Sequence, residues 1–167
     1  MKTYTAYYAS PVGQLKIVCT DEYVQELVFV NEEAEKQDDE APLLSLCRQQ
    51  LDEYFSGERK VFEMPLQQGG TTFQQKVWHL LLKIPFGKTI TYNSLSKQYG
   101  EVKAIRAVAS ANGKNNLAII VPCHRVIGSN QSLTGYAGGL WRKKWLLEHE
   151  AKFSSGIMQQ LSIVGFK

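Results

Sequence analysis

The chain has 167 residues, of which 44% are hydrophobic and 21% are charged, a balance typical of a globular protein with one ordinary domain or two small ones. Its longest uninterrupted aliphatic run, Leu117 to Val121, is far too short to cross a bilayer, and its first residues show no apolar signal region. The composition therefore argues against a membrane-spanning protein and predicts a cytoplasmic one.

The three cysteines, Cys19, Cys47 and Cys123, cannot all pair, and no Cys-x-x-Cys is present. This pattern predicts a reducing compartment and no disulfide scaffold. The three histidines show no metal-ligand spacing with the first two cysteines, so we predict no metal and no cofactor. Cys19 and Cys47 each fall in an apolar pattern and are expected in the core.

The net charge of +3 permits contact with a polyanion without requiring it. Acidic residues crowd between Glu32 and Glu40, whereas the second half of the chain is basic. A polyanionic partner is therefore expected on the second half, which carries the basic residues Lys103, Arg106, Lys114, Arg125, Arg142, Lys143 and Lys144.

The first third of the chain is predicted to form a small sheet. Residues 3–9, 14–20 and 25–30 are short strand-like patterns separated by tight turns, which is typical of an antiparallel meander. Residues 31–40 are polar and charged, and we expect them to form an exposed loop.

A helix is predicted over residues 42–55, with Pro42 in its first turn and Gly57 closing it. Val61–Met64 is a candidate fourth strand. Together these elements predict a supporting α/β domain over residues 1–68, in which nothing indicates chemistry.

A second domain is predicted over residues 69–154, after the polar link Gln67–Gly70. Its first helix has a capping box at Thr72 and Gln75 and ends at Pro85–Gly87.

Two short helices are predicted next, over Tyr92–Tyr99 and Val102–Ala111, with Thr91 capping the first and Gly100 turning the chain between them. This arrangement is typical of a helix-turn-helix, although any pair of antiparallel helices gives the same pattern.

The second of these helices is predicted to turn Ile105, Val108 and Ala109 inward. Its outward face carries Lys103, Arg106, Ala107 and Ser110. Small residues around a single arginine let a helix approach a narrow groove closely, so we expect minor-groove binding with little sequence preference. An alanine-rich helix with an exposed arginine is the alternative interpretation.

The apolar segment Ile119–Ile127 contains the most reactive residues of the chain. Its β-branched residues predict a strand, a sharp turn at Pro122 and a strand-like return. A base or cation near a cysteine raises its thiolate population, and Cys123 is followed by His124 and Arg125. Neighbours in an extended segment point to opposite sides, so we expect no direct bond between His124 and Cys123.

The motif Pro-Cys-His-Arg-Val at 122–126, with Asn115 before it and Gly135–Leu140 after it, resembles the active-site signature of the O6-alkylguanine-DNA alkyltransferases. The likeness runs from Thr72 to Glu150. It implies an α/β fold class in which a small ribonuclease-H-like N-terminal α/β domain precedes a mainly helical, winged-helix-like C-terminal domain with the helix-turn-helix.

The resemblance implies DNA repair by direct damage reversal. The alkyl group of O6-alkylguanine, and of O4-methylthymine, in double-stranded DNA would pass irreversibly to Cys123 after the nucleotide is flipped out of the duplex. The product is a stable thioether, so each molecule would react once. The expected protein is a monomeric, single-turnover methylated-DNA–protein-cysteine methyltransferase.

Catalytic roles are implied by the same resemblance. Cys123 would be the nucleophile, and His124 would receive its proton through a water. Glu150 would orient the imidazole, Asn115 would brace the active-site turns, and Tyr92 would donate a proton to the leaving guanine.

Contacts with DNA and with the flipped base are also implied. Arg106 would hold the nucleotide out of the duplex. The other residues expected to contact DNA are Lys103, Ala107 and Ser110, from the outward helix face described above, and Arg125. The substrate pocket would be formed by Tyr136, Ala137, Gly138, Lys143 and Val126.

Two residues depart from the family pattern. Asn116 stands where the family commonly has proline, so we expect a looser loop there, and Trp141 stands where a polar residue is expected. The tail over residues 155–167 has weak periodicity and is expected to carry no chemistry.

Three other functions compete with this interpretation. A non-catalytic alkyltransferase-like lesion binder would lack the cysteine that Cys123 supplies. A cysteine–histidine hydrolase would need an imidazole that reaches the thiol directly, and an oxyanion hole. A winged-helix transcription regulator would bind one DNA sequence specifically.

Overall fold

The computed structural model describes residues 1–31, 37–130 and 132–154. The predicted tail over 155–167 and residues 32–36 of the predicted loop lie outside these described residues. The chain divides into two compact units, one formed by residues 1–69 and 116–120, the other by residues 70–115 and the chain from 121 onward.

The first unit contains a three-stranded antiparallel sheet in the order β1–β2–β3, which confirms the predicted meander. The strands are β1 (Tyr4–Ser10), β2 (Gly13–Cys19) and β3 (Val24–Phe29). Alternate residues of β2, Leu15 and Ile17 among them, are fully buried, as expected for one face of a sheet.

Helix α1 (Pro42–Phe55) contacts all three strands. It begins at Pro42 as predicted, because the first turn of a helix has no use for the N–H group that proline lacks. Its apolar face buries Cys47, and β2 buries Cys19, so both cysteines lie in the core as expected.

The outer edge of β3 is extended by single-residue parallel bridges to Leu66 and to Leu117. The predicted strand at Val61–Met64 is therefore wrong, since pairing occurs only at Leu66. There the Val24 N–H donates to the carbonyl of Pro65 at 2.9 Å. The Val24 carbonyl accepts the Gln67 N–H at 3.0 Å in return, and Pro65 has no N–H with which to continue the ladder.

The second unit is mainly helical. Its helices are α2 (Thr72–Leu81), α3 (Tyr92–Tyr99), α4 (Ile105–Gly113) and α5 (Leu140–Phe153), and the short strand β4 (Ile90–Thr91) pairs in parallel with β5 (Val126–Ile127). Within the described ranges, none of the helices is long and apolar enough to cross a membrane.

The capping box of α2 lies one residue earlier than predicted. The Thr71 hydroxyl accepts the Gln74 N–H at 3.1 Å, and the Gln74 side chain accepts the Thr71 N–H at 2.9 Å. The sequence contains two overlapping Thr-x-x-Gln pairs, and periodicity alone does not separate them. Helix α2 also ends sooner than predicted, at Leu81.

Helices α3 and α4 are the two predicted short helices. Thr91 caps α3 by accepting the Ser94 N–H at 3.0 Å, and Gly100 ends it with a φ of +108°. The second helix is split, because a 3₁₀ turn over Val102–Ala104, capped by the Glu101 side chain, precedes α4.

The segment Ile119–Ile127 is not the predicted strand, turn and strand. A turn leads up to Pro122, residues 123–125 form one 3₁₀ turn, and only the two residues of β5 are extended. Every residue of the segment is buried, so the apolar run lacks the alternation that would distinguish a strand. Ile119 has a φ of +71°, in the left-handed region.

Candidate active site

Cys123 begins the 3₁₀ turn and is only 6% exposed. The Nδ2 atom of Asn115 donates to the carbonyl of Val121 at 2.8 Å and contacts the Cys123 Sγ at 3.3 Å. The same side chain therefore fixes the turn before the cysteine and solvates its sulfur.

Burial, hydrogen bonding and a nearby charge act on the pKa of the Cys123 thiol. Burial raises the pKa, whereas the hydrogen bond from Asn115 and the charge of Lys143 lower it, and the net pKa lies above that of an ordinary cysteine. The resting side chain is therefore a protonated thiol, and a reaction at the sulfur needs a proton acceptor.

His124 and Glu150 are fully buried and hydrogen-bonded, with 2.7 Å between Nε2 and Oε2. The other ring nitrogen of His124, Nδ1, is buried and has no hydrogen-bond partner among the described residues. The imidazole is thus bonded to the carboxylate and not to the Cys123 thiol. This arrangement lacks the direct thiol–imidazole bond that a cysteine–histidine hydrolase would need.

The position of Arg125 argues against the predicted contact with DNA. Its side chain is buried, with Nε 2.8 Å from Oε1 and Nη2 3.0 Å from Oε2 of Glu150. Its Nη1 atom donates to the Ile84 carbonyl at 2.6 Å. Three of its five N–H donors bond internal acceptors, and burial keeps the group away from a phosphate outside the protein.

The pKa values of the buried pair agree with a neutral histidine beside an ionised glutamate. Burial lowers the pKa of His124; Glu150 raises it, and Arg125 and Lys143 lower it. Burial raises the pKa of Glu150, but His124 and Arg125 outweigh it and hold that pKa well below the usual range.

A cavity of about 650 Å³ lies between the start of α4 and the glycine-rich loop. Its wall includes Tyr92, Arg106, Tyr136 and Ala137, so these predicted site residues are brought together. Val126 does not line this cavity, because its side chain is fully buried in β5. This position argues against the predicted place of Val126 in the pocket wall.

Lys143 and Tyr92 both bond the loop that forms this wall. Lys143 is fully buried, and its Nζ donates to the Thr134 carbonyl at 2.7 Å. Burial lowers the pKa of Lys143 to about 8, although the charge of Cys123 acts to raise it. The Tyr92 hydroxyl donates to the same carbonyl at 3.2 Å, and burial raises the pKa of that hydroxyl. Gly138 lies further along, where its carbonyl accepts Arg142 Nη1 at 2.8 Å.

The outward face of the α4 region is as predicted. It exposes Lys103, Arg106, Ala107 and Ser110. The inward face differs, because Ile105 and Ala109 are only half-buried and line the cavity, while Asn112 is buried with Val108.

The two units match two family models, both of 6-O-methylguanine DNA methyltransferase. Residues 3–68 match its ribonuclease-like domain, and residues 72–152 match its DNA binding domain. The chain belongs to the O6-methylguanine-DNA methyltransferase family. The predicted fold class, a small ribonuclease-like domain before a helical DNA-binding domain, is confirmed by these matches.

Individual members of the methyltransferase family are similar over most of their length. The constitutive methylated-DNA–protein-cysteine methyltransferase of Bacillus subtilis is 45% identical over 79% of this chain and 87% of its own. The methylated-DNA–protein-cysteine methyltransferase of Methanosarcina acetivorans is 43% identical over 88% of this chain and 97% of its own.

Solved structures of a family member from Mycobacterium tuberculosis share the fold. The crystal structure of its O6-methylguanine methyltransferase has a TM-score of 0.84 and 38% identity, covering 96% of this chain and 99% of that one. A crystal structure of the M. tuberculosis protein in complex with DNA has a TM-score of 0.82 and 39% identity, covering 95% and 98%.

Asn116, where this chain departs from the methyltransferase pattern, is held firmly and not loosely as expected. Its N–H donates to the side-chain oxygen of Gln68 at 2.9 Å, and its carbonyl accepts the Leu27 N–H at 2.8 Å. A proline would lack the first of these bonds. Trp141 is 56% exposed with its ring beside Arg142, and nothing in the structure explains the departure there.

Asn112 lies beside Cys123, and sequence reasoning did not single it out. It is 1% exposed, and its Nδ2 lies 3.4 Å from the Cys123 carbonyl. The available signal was an amide placed four residues after Val108 on the buried face of α4, because a buried polar side chain needs a partner.

Proposed function

We propose that this protein repairs alkylated double-stranded DNA by moving one alkyl group from O6 of guanine to the Sγ of its own Cys123. The observation that carries the proposal is the buried Cys123 thiol held by Asn115 and followed by the His124–Glu150 pair. This arrangement supplies a nucleophile and a proton acceptor. The names of the similar proteins support the same reaction class.

The transfer begins with loss of the thiol proton. That proton passes through a water to Nδ1 of His124, the buried ring nitrogen without a protein partner. The thiolate then attacks the alkyl carbon, a carbon–sulfur bond forms, and the carbon–oxygen bond breaks with its electron pair going to guanine. Tyr92 donates a proton to a ring nitrogen of the leaving base, which leaves as neutral guanine.

Access to the alkyl carbon requires the nucleotide to leave the base stack. Arg106 supports this step, since it is exposed on α4 and lines the cavity that would receive the base. Lys103 contacts a phosphate, and the small side chains of Ala107 and Ser110 let the helix enter the minor groove without a strong sequence preference.

Several further properties belong to this proposal. The base pocket is walled by Tyr136 and Ala137, with Lys143 and Gly138 supporting its loop. O4-methylthymine is a second substrate, because its alkyl group is also carried by an exocyclic oxygen of a six-membered ring. The protein acts as a cytoplasmic monomer without a cofactor, and the thioether product limits it to one turnover.

The test is intact-mass spectrometry after incubation with a duplex that contains O6-methylguanine. One added methyl group per chain is expected, located on Cys123. Cys123→Ser should abolish the transfer yet still bind DNA, because a neutral hydroxyl is a far poorer nucleophile than a thiolate. Cys47→Ser is the matched control and should react normally. Transfer that survives in Cys123→Ser would overturn the proposal.

A further inference from the structure

The Glu150 carboxylate is surrounded by hydrogen-bond donors. Oε1 accepts Arg125 Nε at 2.8 Å and the Gly87 N–H at 3.2 Å, while Oε2 accepts His124 Nε2 at 2.7 Å and Arg125 Nη2 at 3.0 Å. The guanidinium therefore hydrogen-bonds both oxygens in the bidentate geometry that favours a charged carboxylate. The imidazole shares that carboxylate with a permanent cation.

Burial is the largest cause that lowers the pKa of His124, and this sharing of the carboxylate acts in the same direction. A buried carboxylate paired with histidine alone attracts a second proton onto the ring, since an opposite charge at hydrogen-bond distance favours the charged form. Here Arg125 already balances the negative charge of Glu150. A second proton on the resting His124, with Cys123 still a neutral thiol, would then be an uncompensated charge in a buried site, which is disfavoured.

We infer that Arg125 is a positioning residue of the transfer reaction, which balances Glu150 so that His124 rests as a neutral imidazole able to take the Cys123 proton. The inference rests on the proposed function, since it assigns Arg125 a place in that proton path. Arg125 touches neither the sulfur nor the substrate, and it acts through Glu150 alone.

Of the other charged groups around His124, only some are buried near the ring. Helix α5 contributes Glu150 and the buried Lys143, whose positive charge also disfavours a second proton on the ring. On α2, the titratable side chains Lys76 and His79 are exposed and therefore screened by solvent. The shift in the pKa of His124 agrees, because Arg125 is among the causes that lower it.

The guanidinium is itself held on its far side. Its Nη1 atom donates to the Ile84 carbonyl at 2.6 Å, and its Cζ atom lies 5.8 Å from the centroid of the Phe86 ring. These contacts fix Arg125 against Glu150, so the charge balance is built into the fold.

The pH dependence of the reaction tests this role. Transfer from free O6-benzylguanine is measured between about pH 5 and about pH 9, because a general base shows as an acid limb in the rate profile. In Arg125→Gln that limb should move upward by roughly one pH unit or more, with recovery at high pH. Arg125→Lys keeps the positive charge, so its acid limb should lie close to that of the unmodified protein.

A purely structural role for Arg125 predicts a different result. It would lower the rate of Arg125→Gln equally at every pH and leave the acid limb in place, and that outcome would overturn the inference. Arg59→Gln removes a guanidinium from another carboxylate pair, with Glu53 at 2.8 Å in the first unit, and serves as the control with an unmoved profile.

A second measurement does not depend on how the variant folds. Imidazole nitrogen chemical shifts of the unmodified protein should show His124 neutral at pH 7, protonated at Nε2 and unprotonated at Nδ1. An imidazolium at that pH contradicts the inference. This titration can succeed even where no alkyl transfer occurs, so failure of the proposed function is detected separately by the Cys123→Ser comparison.

Discussion

The Nδ2 atom of Asn115 lies 3.3 Å from the Cys123 sulfur while it donates to the Val121 carbonyl at 2.8 Å. One amide nitrogen has two hydrogens, and both are directed at the turn that carries the thiol. Asn115 thereby opposes the effect of burial, which raises the pKa of Cys123.

Asn115→Ala should therefore slow alkyl transfer. A hydrogen bond to a charged group contributes about 1.5–3 kcal/mol, so the rate at neutral pH is expected to fall by roughly 10- to 100-fold. The thiol pKa should rise, so part of the rate returns as the pH increases. The rate–pH profile with free O6-benzylguanine measures both effects, and an unchanged profile would contradict this role.

Arg106→Ala should impair repair of duplex DNA far more than reaction with free O6-benzylguanine. The free base needs no extrusion from a stack, so the few kcal/mol of unstacking are absent from that assay. Single-turnover rates with both substrates provide the comparison. Equal losses on the two would mean that Arg106 supports the pocket instead of the extruded nucleotide.

Ala107→Gln should weaken DNA binding similarly across unrelated duplexes. The added length is uncharged, so the loss would come from obstructed approach to the minor groove, which reads little beyond A·T against G·C. Binding isotherms on two duplexes of different sequence check this. If the variant instead changes its sequence preference and keeps its average affinity, the helix contacts the major groove and the minor-groove placement is incorrect.

Lys103→Ala is the electrostatic counterpart of that steric variant. It should lower affinity by losing one phosphate contact and reduce the log–log salt dependence of binding by roughly one unit. The salt slope of Ala107→Gln should stay unchanged, which separates the two mechanisms in one set of titrations.

Asn116→Pro should destabilise the protein even though proline is common at this position in the family. The substitution removes the N–H that bonds Gln68 at 2.9 Å, and the lost bond to a buried acceptor costs about 1–3 kcal/mol of unfolding free energy. Denaturant unfolding measures the change. Asn116→Ala keeps the N–H and should be close to the unmodified protein, and equal stability of the proline variant would count against the expectation.

Much of the fold could be predicted from local sequence patterns. The bounds of α1 and α3 follow from Pro42, Thr91 and Gly100, because capping and breaking act on neighbours in the sequence. The exposed face of α4 follows from helical spacing in the same way. The active-site cysteine and its asparagine were found through the family signature.

The remaining features depend on contacts between residues that are far apart in the chain, and the sequence did not reveal these contacts. Arg125 finds its partner Glu150 twenty-five residues later, so its basic character suggested DNA instead. The segment Ile119–Ile127 was misread as strands because complete burial removes the alternation on which that prediction depends.

At position 119 the backbone conformation and the burial of the side chain favour different residues. A φ of +71° costs a β-branched residue about 1–3 kcal/mol, which glycine would avoid. The buried isoleucine side chain contributes about 1.5–3 kcal/mol, which glycine would forfeit. Because the two terms are of similar size, chemically unlike residues can replace one another here at little net cost. Sequence variation at this position among relatives would then reflect two stability effects that nearly cancel, and it would say little about DNA repair.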